Sequence, residues 1–90
     1  MKIEINVPDY TPPRGIQFAW EDGFIIATEP HGHGFIIRAN RDGLISLARH
    51  LLTLAQETVP GGWHFHLDDS NALEDGSCEL TVEKMIEEQA

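Results

Sequence analysis

The sequence predicts a small α+β domain in which one amphipathic helix covers a mostly antiparallel sheet, with elements in the order ββββαββ. Three observations predict it. Several short segments alternate apolar and polar residues with the period of a half-buried strand, one stretch near the middle repeats every three to four residues, and proline- and glycine-rich turns separate them. Ninety residues is the size of one compact domain, so residues 1–90 read as a single unit.

The first strand is expected at residues 2–7, where Ile3, Ile5 and Val7 alternate with Lys2, Glu4 and Asn6. Pro8, Pro12 and Pro13 then make residues 8–15 an irregular connection. Ile16, Phe18 and Trp20 resume the alternation as strand two, and Glu21-Asp22-Gly23 supplies a tight turn into a third strand over residues 24–29, paired antiparallel with the second. Pro30-His31-Gly32-His33-Gly34 is a second reversal before a fourth strand over residues 35–39. Ile25 and Ile36 fall out of phase with Phe24, Ile26, Phe35 and Ile37, which makes part of the second face apolar and points to a homodimer or partner surface.

From Asn40 the period changes. Leu44, Leu47, Ala48, Leu51, Leu54 and Ala55 form one apolar stripe, expected to face the sheet. Asn40 is suited to cap this helix and Asp42 to its first turn, and Pro60-Gly61-Gly62 ends it near Glu57. Trp63, Phe65 and Leu67 then alternate with His64, His66 and Asp68 as a fifth strand. Residues 69–77 form a polar loop, and Cys78, Leu80 and Val82 alternate with Glu79, Thr81 and Glu83 as the last strand. Residues 86–90 read as a frayed tail.

Charge narrows the classes of function. Fifteen carboxylates against six Lys and Arg give a net charge of −9, which repels phosphate backbones and disfavours nucleic acid, whereas a cationic partner is favoured. The excess is concentrated near the end, with Asp68, Asp69, Glu74, Asp75, Glu79, Glu83, Glu87 and Glu88 set against Lys84. A lone cysteine excludes an internal disulfide and fits a reducing cytoplasm, and the chain shows neither a signal-peptide pattern nor an apolar run of membrane-spanning length.

Little in the sequence supports catalysis. No nucleophile sits at a sharp turn beside a base, Cys78 is in phase with core residues, and Pro60-Gly61-Gly62 precedes a strand where a phosphate cradle would open a helix. His64 and His66 share one strand face, and with Asp68, His31 and His33 they could in principle furnish a zinc or copper shell. The His-x-His pair lacks the spacing and the chain length of a cupin barrel. A polar strand face without metal or cofactor is the simpler reading, and a small metal-binding protein is the alternative. The loop after it is more suggestive. Asp68, Asp69, Asn71, Glu74 and Asp75 are turn-forming residues, yet together they also make a charged rim able to engage Lys and Arg of a partner, with His64 and His66 beside it.

The run Asn40-Arg41-Asp42-Gly43-Leu44, the helix Ser46-Leu47-Ala48-Arg49-His50-Leu51-Leu52, then His64-Phe65-His66-Leu67-Asp68, Leu73-Glu74-Asp75-Gly76-Ser77 and Glu79-Leu80 together resemble the immunity protein 32 family. The resemblance spans residues 40–84. It implies a small bacterial intracellular protein that binds and neutralises a cognate toxin, with no catalytic residue. A basic toxin is the expected partner, and a structural homodimer is the remaining alternative.

Overall fold

The computed structural model describes residues 1–87. The expected tail falls mostly on residues 88–90, which lie outside the described residues. The elements are β1 (Ile26–His31), β2 (Gly34–Ala39), α1 (Arg41–Ala55), β3 (His64–Leu67) and β4 (Leu80–Glu83). The architecture is α+β, but its order is ββαββ, and the strands form two separate antiparallel pairs, β1–β2 and β3–β4.

The first two expected strands are therefore corrected. Residues 2–7 and 16–20 join no ladder, and an isolated Thr11–Gly15 bridge is the one strand-like pairing recorded in the first 25 residues. Alternation reports which side chains turn inward; it does not supply a neighbouring strand. Side chains of α1 and of its C-cap residue Gln56 satisfy this segment instead. Arg49 donates to the carbonyls of Asn6 (3.0 Å) and Ala19 (3.2 Å), Gln56 donates to that of Pro8 (2.9 Å), and Tyr10 N–H donates back to Gln56 Oε1 (3.0 Å). The Glu21 N–H donates to Ser46 Oγ at 2.8 Å, and Arg49 pairs with the Glu21 carboxylate at 2.7 Å.

The β1–β2 hairpin turns at Gly32-His33, with Thr28 opposite Ile37 and Glu29 opposite Ile36. That register puts Ile36 on the opposite face from Phe35 and Ile37, as the phase of the sequence implied, and Phe35 and Ile37 remain exposed. The outer edge of β1 is also engaged. Glu74 N–H donates to the Ile26 carbonyl (2.9 Å), Cys78 N–H donates to that of Thr28 (3.2 Å), and Thr28 Oγ1 donates to the Cys78 carbonyl (2.5 Å). Cys78 consequently lies half-buried before β4, not inside the last strand as expected.

Asn40 begins the helix as expected, but its side chain does more than cap. Oδ1 accepts from Gly43 N–H (2.7 Å) and from Ile25 N–H (3.0 Å), while Nδ2 donates to the Gly23 carbonyl (2.9 Å). The loop before β1 is thereby clamped to the start of α1, and Gly43 meets it at close range. A Cβ at Gly43 would collide with the Ile25 carbonyl oxygen and lie 2.9 Å from Ile26 Cγ1. At the other end, Lys84 donates to the carbonyls of Gln56 (2.6 Å) and Val59 (2.8 Å), placing a cation where the helix dipole is negative.

The helix is turned away from the orientation expected of its leucine stripe. Its buried residues are Gly43, Ser46, His50, Thr53 and Leu54, whereas Leu44, Leu51 and Leu52 are 55%, 44% and 48% exposed. The small and polar residues recur at three- and four-residue spacing of their own, and this is the face the core receives. Leu47 and Leu54 still pack inward, with Ile26, Val59, Phe65, Leu67 and Leu73 completing the core.

His50 is fully buried among aromatic rings, edge-on to Trp20 (4.1 Å between centroids) and Phe18 (4.9 Å). Burial pushes its pKa from 6.5 down to about 4; the nearby Ala19 backbone opposes the drop and the Arg49 charge adds to it. Among the described residues neither ring nitrogen has a partner with hydrogen-bond geometry, so the Ala19 contact does not satisfy the ring and desolvation prevails.

Gly43→Ala should destabilise the domain by about 1–3 kcal/mol in a denaturant titration, although helix propensity alone favours alanine by about 1 kcal/mol. An unchanged midpoint would disprove the close approach. For His50, the unfolded ring protonates near 6.5 and the folded ring near 4. Its contribution to stability is therefore complete above pH 6.5 and is lost as pH falls toward 4, by roughly 3 kcal/mol. Over that window His50→Leu should lose less stability than the parent, and parallel pH profiles would refute a neutral buried ring.

Candidate functional site: the acidic loop after β3

The loop is held at both shoulders by apolar side chains. Leu67 closes β3 and Leu73 returns to the core, and both are buried. Between them the chain closes a compact turn in which the Asp68 carbonyl accepts from the N–H groups of Ala72 (3.1 Å) and Leu73 (2.8 Å). Asp68 Oδ1 accepts from both the N–H (2.9 Å) and the Oγ–H (2.7 Å) of Ser70. Those bonds, the hydroxyl's foremost, hold the Asp68 carboxyl below the usual carboxylate range, so it is charged at neutral pH.

Asn71 is equally engaged. Its Oδ1 accepts from Asp68 N–H (2.8 Å), and its Nδ2 donates to the His66 carbonyl (3.0 Å), which ties the loop to β3. Asp69 Oδ2 accepts from Gly76 N–H at 3.3 Å. Asp68, Asp69 and Asn71 thus use part of their hydrogen-bonding capacity to shape the loop. Glu74 and Asp75 differ: both are exposed, and among the described residues neither side chain has a hydrogen bond or an ion pair.

His64 and His66 project from the exposed side of β3 while Phe65 and Leu67 are buried, which is the alternation read from the sequence. Their rings meet edge to face with centroids 4.7 Å apart. His66 Nδ1 lies 2.9 Å from Oγ1 of Thr81, its partner across the β3–β4 ladder, and 2.8 Å from Oε1 of Glu79 just before β4, and His64 Nδ1 lies 3.2 Å from the Gly62 carbonyl. His31 and His33 sit at the β1–β2 turn. Among the described residues, no three His, Cys, Asp or Glu side chains are grouped to hold a metal ion.

The arrangement presents carboxylates on a fixed backbone, two of them without protein partners, and can attract a cation-bearing surface. Sequence reasoning placed this loop but missed a second surface, the outward leucines of α1. The signal was present in the separate spacing of Gly43, Ser46, His50 and Thr53, which competes with the leucine stripe for the inward face.

No helix among the described residues is long and apolar enough to cross a membrane. Comparison with curated proteins and with solved structures finds no match. The family model described as immunity protein 32 matches residues 35–85, which take in β2, α1, β3, the acidic loop and β4. That match covers more than half of the 90 residues and includes every motif on which the resemblance rests, and the chain therefore belongs to the immunity protein 32 family.

Proposed function

We propose that this protein is an immunity-type binding protein that neutralises a cognate bacterial toxin by direct protein–protein contact in the cytoplasm, without catalysis. Membership of the immunity protein 32 family carries the reading. The net charge of −9 and the shape of the loop support its finer content: the partner is basic and meets a rim formed by Asp68, Asp69, Asn71, Glu74 and Asp75, with His64 and His66 beside it.

Within that rim the residues divide into two kinds. Asp68, Asp69 and Asn71 fix the loop's shape, so replacing them alters structure and charge together. Glu74 and Asp75 carry charge that the loop does not use. A rigid, charged rim chiefly accelerates encounter, because electrostatic steering acts before the surfaces dock.

The double variant Glu74→Gln, Asp75→Asn should therefore associate with the cognate toxin several-fold more slowly at low salt, with a shallower salt dependence and an unchanged thermal midpoint. Association rates measured at several ionic strengths decide the matter. Rates equal to those of the parent would remove the loop from the interface.

A further inference from the structure

The exposed face of α1 is apolar and built with a symmetry that its burial pattern reveals. Leu44, Leu51 and Leu52 are all more than 40% exposed, and Arg41 and Ala55 are exposed at the two ends of the same face. Ala48 is its midpoint. Counting outward from Ala48, Ile45 and Leu51 stand three residues away, Leu44 and Leu52 four, and Arg41 and Ala55 seven.

We propose that this face pairs with the same face of a second copy of the chain, the two α1 helices running antiparallel across a twofold axis at Ala48. An isologous interface requires each position to meet its counterpart under a half-turn. Here the half-turn brings Leu44 onto Leu52 of the other copy and Ile45 onto Leu51, so that large apolar side chains meet large apolar side chains. Ala48 meets itself, and its small side chain lets the backbones approach. Arg41 meets Ala55, a small side chain that leaves room for its longer one, beside a helix end whose carbonyls Lys84 already engages.

Charge agrees with that occupant. A chain of net charge −9 repels its own copies through most of its surface, yet the seven positions of this face contain no carboxylate and a single arginine. The helix alone, about 22 Å long, is narrow for a stable dimer, which buries about 800 Å² per partner. Apolar flanks widen it. Ile3 borders a groove with Leu44 and Ile45 on one side, and Val82 borders another with Leu51 and Ala55 on the other.

This inference does not rest on the toxin reading, and its test is separate. Sedimentation equilibrium of the full chain over a concentration series should give a mass approaching twice 10.1 kDa. Ala48→Glu should return it to the monomer mass with the far-ultraviolet spectrum of the parent. In a Cys78→Ser background, Ala48→Cys should form an intermolecular disulfide on mild oxidation. Arg41→Cys should form none with itself, since Arg41 stands ~10 Å along the helix from the axis at Ala48 and its copies therefore lie ~21 Å apart; mixed with Ala55→Cys it should form a heterodimer. A parent monomeric at every concentration overturns the proposal, as does a dimer that survives Ala48→Glu or cross-links as readily through Arg41→Cys alone. A monomeric parent whose toxin neutralisation is lost in Ala48→Glu would assign the face to the toxin instead.

Discussion

The side chain of Asn40 is the constraint on which the rest of the structure depends. It stands between the last residue of β2 and the first of α1, and it binds in three directions: to the helix at Gly43, to the Ile25 N–H and to the Gly23 carbonyl. Its backbone N–H adds a bond to the Ile25 carbonyl at 3.1 Å. The hairpin, the helix and the loop leading into β1 are thereby fixed to one another at a single point. Asparagine suits the position because its amide both accepts and donates, whereas an ionised aspartate could only accept and would leave the Gly23 carbonyl without its donor.

The orientation of the helix follows from that clamp. With Asn40 bound to Ile25, Gly43 is driven against the same backbone, and a residue lacking Cβ is the one that fits. Once Gly43 faces inward, the helical period carries Ser46, His50 and Thr53 inward with it. Ser46 and Thr53 find partners in the Glu21 N–H and the Arg49 carbonyl. His50 does not, and aromatic edges surround it while its ring is kept neutral. The leucines left on the outer face are the complement of this choice.

The acidic loop is a separate construction at the far end of β3. Its geometry is set by short-range bonds from Asp68 and Asn71 and by the burial of Leu67 and Leu73, while its second half is stitched to the edge of β1 through Glu74, Ser77 and Cys78. In the proposed immunity role, the value of such a loop is that its charge is carried on a backbone already fixed, so ordering on docking is confined to side chains such as Glu74 and Asp75. The loop's carboxylates and the helix's leucines are chemically unlike surfaces, suited to different partners.

The residues by themselves determined a good deal: the α+β class, the helix with its Asn40 cap, the β1–β2 and β3–β4 segments, the outward His64 and His66, and the acidic loop. These are set by local chemistry, in which a capping amide, a glycine turn or a two-residue alternation acts within a few positions. Tertiary structure alone decided whether residues 2–7 and 16–20 would find strand partners, and it gave them helix side chains instead. It also decided which of two competing stripes on α1 would be buried. The more hydrophobic stripe lost because the Asn40 clamp and the close approach at Gly43 fix the helix's rotation through contacts some 15 residues away, a separation over which no periodicity in the chain carries information.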